Sequence, residues 1–179
     1  RCIAVAGTHG KTTTTAMIAH VHTELDEDPS FFVGGEVTVG GRTTNAHVGK
    51  GTVAVVEADE SDGSFLKLDP DVAIITNVEL DHHAKWGGGL PELMAAFGEF
   101  AAGADDVIVW RGQPELADLA ERTVGFGIGE GAGDDLVAED VSTPADPAAG
   151  SEFKLGDAVV RLGVRGDHNV LNSLAALAA

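Results

Sequence analysis

The sequence predicts an α/β fold: a mostly parallel sheet flanked by helices, with a small antiparallel β subsheet near the C-terminal part. Two observations predict it. Over most of the chain, short apolar runs alternate with helical patterns, which is typical of βαβ units. After Gly127, short alternating runs are separated by segments rich in Gly, Ala, Asp and Pro, which favours antiparallel pairing.

The first elements are a strand, a glycine-rich loop and a helix. Cys2 to Ala6 is a short apolar run closed by Gly7, and Thr12 to Leu25 carries Ala, Met, Ile and Val at helical spacing. A further strand is predicted at Phe31 to Val33. The glycine-rich remainder of the segment from 29 to 50 fits several structures and is left unassigned.

The remaining elements follow from the same periodicities and from the turn residues that bound them. Strands are predicted at Val53 to Val56, Val72 to Thr76, Asp106 to Trp110 and Thr123 to Phe126. Helices are predicted at Leu90 to Ala102, Pro114 to Arg122 and Asn169 to Ala179. The antiparallel subsheet is predicted from Leu136 to Val141, Glu152 to Leu155 and Ala158 to Val164.

Composition excludes several classes of function. With 179 residues, 44% of them hydrophobic, the chain can bury a core and form one domain. The 29 Asp and Glu against 11 Lys and Arg give a formal charge of -18, and such a surface repels nucleic acid and anionic membranes. No apolar stretch approaches the roughly 18 residues that cross a bilayer. We therefore expect no nucleic-acid partner and no membrane insertion.

The single cysteine and the chain ends carry two further expectations. Cys2 cannot form an intrachain disulfide, which favours a cytoplasmic location. The chain opens on the strand before Gly7 without a secretory leader, and it stops inside a predicted helix. We therefore expect a cytoplasmic protein and a fragment of a longer chain.

A glycine-rich loop between the first strand and the first helix predicts nucleotide binding. Backbone amides and the positive end of the helix dipole converge there, and glycines let phosphate oxygens approach. Lys11 is expected to reach the β and γ phosphates, and the Thr12 hydroxyl to complete the coordination of Mg²⁺. The predicted nucleotide-binding residues are Gly7, Thr8, His9, Gly10, Lys11, Thr12 and Thr13.

The loop is shorter than the strict Walker pattern, because Val5 stands where that pattern has a glycine. An ordinary glycine turn before a helix is therefore the alternative. The Gly-Lys-Thr sequence at a strand-to-helix junction favours ATP over that alternative, and with it a P-loop NTPase-like sheet.

Polar clusters follow two other predicted strands. Glu57 to Glu60 follows one strand, and the Asp81-His82-His83 segment follows the next. Because the carboxyl ends of parallel strands share one edge, both clusters are expected beside the phosphate loop. A carboxylate at Glu57 suits Mg²⁺, and a neutral imidazole at His82 can serve a second Mg²⁺. A solvated acidic turn and a surface histidine pair are the alternatives.

Four segments, taken together and in order, resemble the Mur ligases. These segments are Gly7 to Thr15, Glu57 to Asp62, Thr76 to His82 and Gly166 to Asn172. The resemblance covers nearly the whole chain, but only the central ATP-binding domain of a three-domain family. It implies that residues 1–179 are this domain, without the amino-terminal UDP-binding and carboxyl-terminal Rossmann-like domains.

The resemblance assigns roles to individual residues. It implies that Lys11 is the catalytic phosphate-loop lysine and that Thr12 and Glu57 bind Mg²⁺. His82 matches a catalytic histidine that binds a second Mg²⁺. Near the end of the chain, the segment that reads adenine is matched by His168, Asn169 and Asn172, whose side chains can bond that base.

At two places the residues themselves allow another interpretation or depart from the family motif. Without the resemblance, Asn169 is interpreted as a helix cap, and Asp167 or His168 can start that helix. His83 and Lys85 depart from the family motif, so no substrate role is expected for them.

The activity that the resemblance implies is ATP-driven amide formation in peptidoglycan precursor synthesis. The carboxylate of UDP-N-acetylmuramate attacks the γ phosphate, and the amine of L-alanine then displaces phosphate from the acyl phosphate. Lys11 and Mg²⁺ neutralise charge on the transferred group. Ser61 and the continuation from Asp62 to Phe65 favour alanine addition.

Three alternatives stay open. Within the family, a murein-recycling ligase adds a whole tripeptide to the same sugar and has nearly the same loop. From other classes come a P-loop kinase or NTPase and a nucleotide-binding module without activity. P-loop kinases usually carry a longer gap between the loop glycines and a strand that ends in Asp.

Overall fold

The computed structural model describes residues 1–80, 86–121, 123–129, 135–146 and 148–179. Within these ranges the strands are β1 Cys2–Ala6, β2 Ser30–Val39, β3 Arg42–His47, β4 Ala54–Glu57, β5 Val72–Ile75, β6 Asp106–Trp110, β7 Val124–Ile128, β8 Leu136–Ser142, β9 Glu152–Leu155 and β10 Ala158–Arg161. The α-helices are α1 Lys11–Glu24, α2 Leu90–Ala102 and α3 Asp167–Ala178. Short 3-10 helices span Ser64–Lys67 and Pro114–Leu119.

The strands form one sheet in the order β10-β9-β8-β7-β6-β5-β1-β4-β2-β3. The seven strands from β8 to β2 in this order run parallel. At one edge β3 pairs antiparallel with β2, and at the other β9 pairs antiparallel with both β8 and β10. The predicted fold class is therefore confirmed. The predicted subsheet is not separate, because β8 pairs in parallel with β7 and antiparallel with β9.

Side-chain alternation along β1 divides the core into two layers. Ile3 and Val5 belong to a buried cluster with residues of α1 and α3. Ala4 and Ala6 belong to a second cluster, with residues of α2. Since successive side chains of a strand point to opposite faces, helices cover both sides of the parallel sheet. No helix in the described ranges is long and apolar enough to cross a membrane.

Most predicted elements are confirmed to within one or two residues, and three regions differ. The strand predicted from Ala158 to Val164 ends at Arg161, which pairs with Glu152, the first residue of its partner β9. The unassigned segment from 29 to 50 contains the hairpin of β2 and β3, closed by Gly40 and Gly41 with φ of 56° and 75°. A Gly-Gly pair is a typical hairpin turn. The helix predicted from Pro114 is a 3-10 helix, because the backbone becomes extended at Ala120 and leaves too few residues for a stable α-helix. Arg122 lies outside the described residues.

Candidate functional site

The phosphate loop lies at the edge of the sheet where the parallel strands end. Gly10 is the N-cap of α1 and has a left-handed backbone with φ of 85°. The Gly10 carbonyl accepts the first helical bond, from the Thr14 amide at 2.9 Å. Amides earlier in this turn have no acceptor within the helix. These amides can donate hydrogen bonds to an anion at the positive end of the helix dipole. Helices bind phosphate in this way.

Residues that follow β5 hold the loop in place. The Thr8 amide donates to the Asn77 carbonyl at 2.9 Å, and the Thr76 hydroxyl donates to the His9 carbonyl at 2.6 Å. The Asn77 side chain accepts from the His9 amide and donates to the His9 carbonyl, both at 2.9 Å. Sequence reasoning gave Thr76 and Asn77 no individual role. Their position, as two polar residues directly after an apolar strand, is the sequence feature that could have indicated a role in this site.

The ammonium of Lys11, the first residue of α1, lies against the loop and is paired with a buried carboxylate. Its Nζ donates to the Gly7 carbonyl at 2.6 Å and to Glu60 Oε2 at 2.9 Å. The Glu60 side chain is 0% exposed and that of Lys11 is 12% exposed. The ammonium is therefore held where the loop would surround a phosphate. Sequence reasoning treated Glu60 only as part of an acidic turn.

Thr12 and Glu57 bring two kinds of oxygen together. The Thr12 hydroxyl donates to Glu57 Oε1 at 3.1 Å, and the Gly34 amide donates to Glu57 Oε2 at 2.7 Å. Magnesium in nucleotide sites is typically held by one or two protein oxygens, with phosphates and waters completing the shell. A hydroxyl and a carboxylate beside a phosphate loop fit that ion. In the described part of the chain, no group of three or more His, Cys, Asp or Glu side chains is placed to hold a metal.

A cavity of about 420 Å³ opens next to the loop. Its lining includes His9, Gly10 and Thr13 and the aromatic residues Trp110 and Phe126. Aromatic and aliphatic walls with a few polar groups are typical of small-molecule sites. Sequence reasoning assigned no role to the two rings, although both lie at or near the carboxyl ends of strands.

The residues predicted to read adenine lie on α3 near this cavity. His168 and Asn172 line it. Asn172 Oδ1 accepts from the Thr14 hydroxyl at 3.3 Å, which joins α3 to α1. The side-chain amide of Asn169 donates from Nδ2 to the Arg165 carbonyl at 2.8 Å. The interpretation of Asn169 as a helix cap is wrong, because Gly166 takes the N-cap position and Asp167 starts the helix.

The strand-end segment after β5 is held by a residue that sequence reasoning missed. The Gln113 side chain accepts from the Val78 amide and donates to the Val78 carbonyl, both at 2.8 Å. The segment leads toward Asp81, His82, His83 and Lys85, which lie outside the described residues. The catalytic and metal-binding roles of His82 therefore stay predictions.

Comparison of the sequence with known proteins agrees with this geometry. A family profile described as Mur ligase middle domain matches residues 5–179. UDP-N-acetylmuramate–L-alanine ligases of Xanthomonas oryzae pv. oryzae and Xanthomonas campestris pv. campestris are each 43% identical over 188 residues. These alignments cover 99% of this chain but 38% of either relative, so the chain spans well under half of their length.

Solved structures show the same fold. UDP-N-acetylmuramate-alanine ligase MurC from Thermotoga maritima superposes with a TM-score of 0.85 and 34% identity, over 99% of this chain and 40% of that one. A UDP-N-acetylmuramate:L-alanyl-gamma-D-glutamyl-meso-diaminopimelate ligase from Neisseria meningitides has a TM-score of 0.77 and 25% identity, over 99% of this chain and 60% of that one.

Proposed function

Because this chain belongs to the Mur ligase family, matching its middle domain over residues 5–179, we propose that it supplies the ATP site of a ligase joining L-alanine to UDP-N-acetylmuramate. One observation carries the proposal. Lys11, the Thr12–Glu57 pair and the aromatic-walled cavity meet at one edge of the sheet. In open α/β sheets, ligands bind at that edge.

The phosphate end of ATP is proposed to bind at the start of α1. Amides of the first helical turn and the Lys11 ammonium donate to the phosphate oxygens. The Thr12 hydroxyl and the Glu57 carboxylate are proposed to hold Mg²⁺, with His82 as the ligand of a second ion. Bound Mg²⁺ neutralises negative charge on the phosphates.

The base of ATP is proposed to occupy the adjoining cavity. Trp110 and Phe126 line this cavity together with His9 and Gly10 of the phosphate loop, and the half-buried Trp110 ring offers apolar surface for the base. His168 and Asn172 carry the polar groups that can bond the ring nitrogens and the amino group of adenine. Asn169 is proposed to act with them through its bond to Asn172 at 3.4 Å.

The proposed reaction is phosphoryl transfer followed by amide formation. A substrate carboxylate attacks the γ phosphorus, and the bond to the β-bridging oxygen breaks to leave ADP. The amine of L-alanine then attacks the acyl carbon and expels phosphate. Lys11 would bind the oxygens on which charge accumulates when the γ phosphate is transferred.

The chain spans 38% of the length of its curated relatives, so the rest of the reaction needs more than the described site. We propose that residues 1–179 form the central domain and that further domains complete the UDP-N-acetylmuramate and L-alanine sites. Similarity to the Thermotoga maritima alanine ligase, which exceeds that to the Neisseria meningitides enzyme, supports alanine as the amine. A cytoplasmic location stays a prediction.

Calorimetric titration of this chain with ATP and Mg²⁺ tests the nucleotide site. We expect saturable binding that Lys11→Ala weakens by about tenfold or more, since a charge-assisted bond to phosphate is lost. Lys50→Ala, at an exposed lysine, is the matched control and should bind as the parent does. Equal affinity of the parent and Lys11→Ala, both folded, would contradict the proposal.

Ligation is tested on the full reading frame that contains this domain. Phosphate release is followed with ATP, UDP-N-acetylmuramate and L-alanine, and the product is identified by mass. We expect turnover that requires L-alanine. Turnover with a tripeptide but not with alanine would identify the murein-recycling ligase, and ATP hydrolysis without any amide product would favour an NTPase.

A further inference from the structure

The carboxylate of Glu60 is the most buried charged group beside the phosphate loop. Its side chain is 0% exposed, and Oε2 accepts from Lys11 Nζ at 2.9 Å. Removing a carboxylate from water is costly unless a cation compensates it, and buried ion pairs are a weak source of stability. The presence of this pair beside a phosphate site therefore calls for a role other than stability.

The backbone of Glu60 is fixed independently of Lys11. The Glu60 carbonyl accepts from the Trp86 indole at 3.2 Å and from the Gly63 amide at 3.1 Å. Just before it, the Ala58 amide donates to the Val5 carbonyl at 2.8 Å, which ties the segment to β1. The carboxylate is thus held by the same sheet that carries the phosphate loop.

The acceptors around the Lys11 ammonium differ in kind. Gly7 and Thr8 offer neutral carbonyls, at 2.6 and 3.4 Å, whereas Glu60 offers a negative charge at 2.9 Å. The neighbouring carboxylate, Glu57, bonds Thr12 and Gly34 instead. The two carboxylates therefore serve different groups, Glu57 the proposed metal side and Glu60 the lysine.

We propose that Glu60 is a positioning residue for Lys11: its buried carboxylate holds the ammonium in the loop at the place where the β and γ phosphates of ATP are bound. This inference rests on the proposed function, because it requires Lys11 to bind those phosphates. Its consequence is selective. Without Glu60, the ammonium is no longer held, so binding of the triphosphate weakens while binding of adenosine, which has no phosphate, does not.

The test is a double-mutant cycle on this chain, with ATP and adenosine affinities measured by NMR titration in Mg²⁺ for the parent, Glu60→Gln, Lys11→Met and the double variant. We expect Glu60→Gln to weaken ATP binding by about tenfold, the size of a lost charge-assisted bond, and to leave adenosine binding within about twofold. In the Lys11→Met background, Glu60→Gln should change ATP affinity by less than about twofold, because the two residues act as one unit.

Each other result overturns a specific statement. Equal weakening of ATP and adenosine binding, or an equal effect of Glu60→Gln in both backgrounds, would show that Glu60 does not act through Lys11. Tighter ATP binding by Glu60→Gln would show that the pair competes with phosphate. If Lys11→Met weakens ATP binding but Glu60→Gln does not, this inference alone fails; if Lys11→Met has no effect, the proposed phosphate site fails with it.

A second variant keeps the proposal testable if Glu60→Gln does not fold. Glu60→Asp keeps the charge but shortens the side chain by one methylene, so the carboxylate can no longer reach the same position. We expect several-fold weaker ATP binding with adenosine binding unchanged. ATP affinity equal to that of the parent would show that charge is sufficient and that position has no role.

Discussion

The side-chain oxygen of Asn172 lies 2.4 Å from the point where a Cβ at Gly10 would stand. The same oxygen accepts from the Thr14 hydroxyl at 3.3 Å. The start of α1 and the first turns of α3 are therefore in direct contact, and the contact exists because position 10 has no side chain. It joins the proposed phosphate-binding and adenine-binding parts of the site.

Gly10→Ala should damage this junction. Alanine would adopt a left-handed backbone at a cost of about 1–2 kcal/mol, and its methyl group would displace Asn172. We expect a lower melting temperature and weaker ATP binding. Differential scanning calorimetry and titration with ATP measure the two effects.

The matched control is Gly41→Ala, where φ is +75° but no heavy atom lies within 4 Å of the position that the methyl group would take. It carries the backbone cost without the clash and lies in the β2–β3 turn. We expect a similar intrinsic loss of stability and no change in ATP affinity. Equal ATP affinities for the two variants would show that Asn172 tolerates the methyl group.

Glu57→Gln should remove the dependence of ATP binding on Mg²⁺. The amide keeps the size of the side chain but lacks the negative charge that favours a divalent cation. We expect Mg²⁺ to strengthen ATP binding by about tenfold or more in the parent and hardly at all in Glu57→Gln. Affinities are measured with Mg²⁺ and with EDTA.

Glu60→Gln is the control for this prediction. It should bind ATP more weakly but keep the Mg²⁺ effect, because Glu60 contacts Lys11. Equal losses of the Mg²⁺ effect would show that the metal ligand is wrongly assigned.

Local patterns are sufficient to predict much of the fold. Apolar runs predict β1 and β6 with the bounds that the structure has, and β5 to within one residue. Periodicity predicts α2 with its observed bounds. These patterns do not predict the β2–β3 hairpin, because its glycines and exposed polar residues carry little hydrophobic pattern. They assign β8 to the antiparallel group only, because the pairing partner of a strand is decided by tertiary packing rather than by its own sequence.

The placement of the candidate site residues could be predicted where one segment carries them and not where distant segments meet. Lys11 and Thr12 follow from a contiguous loop, and Glu57 follows from the end of a strand. The bond between Lys11 and Glu60 depends on the register in which β4 lies beside β1, which no local pattern fixes. The same holds for the Trp110 and Phe126 rings, which belong to a cavity formed by separate parts of the chain.

The thiol of Cys2 should react slowly with alkylating agents. Burial raises its pKa above the ordinary value, and the nearby Asp71 carboxylate adds to the rise. Since the thiolate is the nucleophile, we expect iodoacetamide to react more slowly with the folded chain than with the urea-unfolded chain around pH 8 to 9. Because the unfolded state loses this proton at lower pH, stability should decrease as pH rises through the ordinary thiol pKa toward the raised one.

Asp71→Asn tests the cause of that rise. It removes the negative charge, so the midpoint of the alkylation profile should move to lower pH. Asp69→Asn removes a weaker contribution and should move the midpoint less. A profile of the parent identical to that of the unfolded chain would contradict the prediction.

Gly34→Ala should disturb the Glu57 carboxylate with little effect on the fold. A methyl group at position 34 would lie 3.0 Å from Glu57 Oε1, so the carboxylate must shift by a few tenths of an ångström and lose the geometry of its bond to the Gly34 amide. At Gly35, the next position in β2, the nearest atom is a Thr12 methyl carbon at an ordinary 3.8 Å.

Gly35→Ala is the matched control, because alanine at either position reduces the freedom of the unfolded chain to the same degree. We expect Gly34→Ala to reduce the Mg²⁺ enhancement of ATP binding several-fold and Gly35→Ala to leave it unchanged, with both melting temperatures close to that of the parent. The enhancement is measured as the ratio of ATP affinities with and without Mg²⁺. An unchanged ratio for Gly34→Ala would show that Glu57 can move without consequence, and that the Gly34 amide does not help to place it.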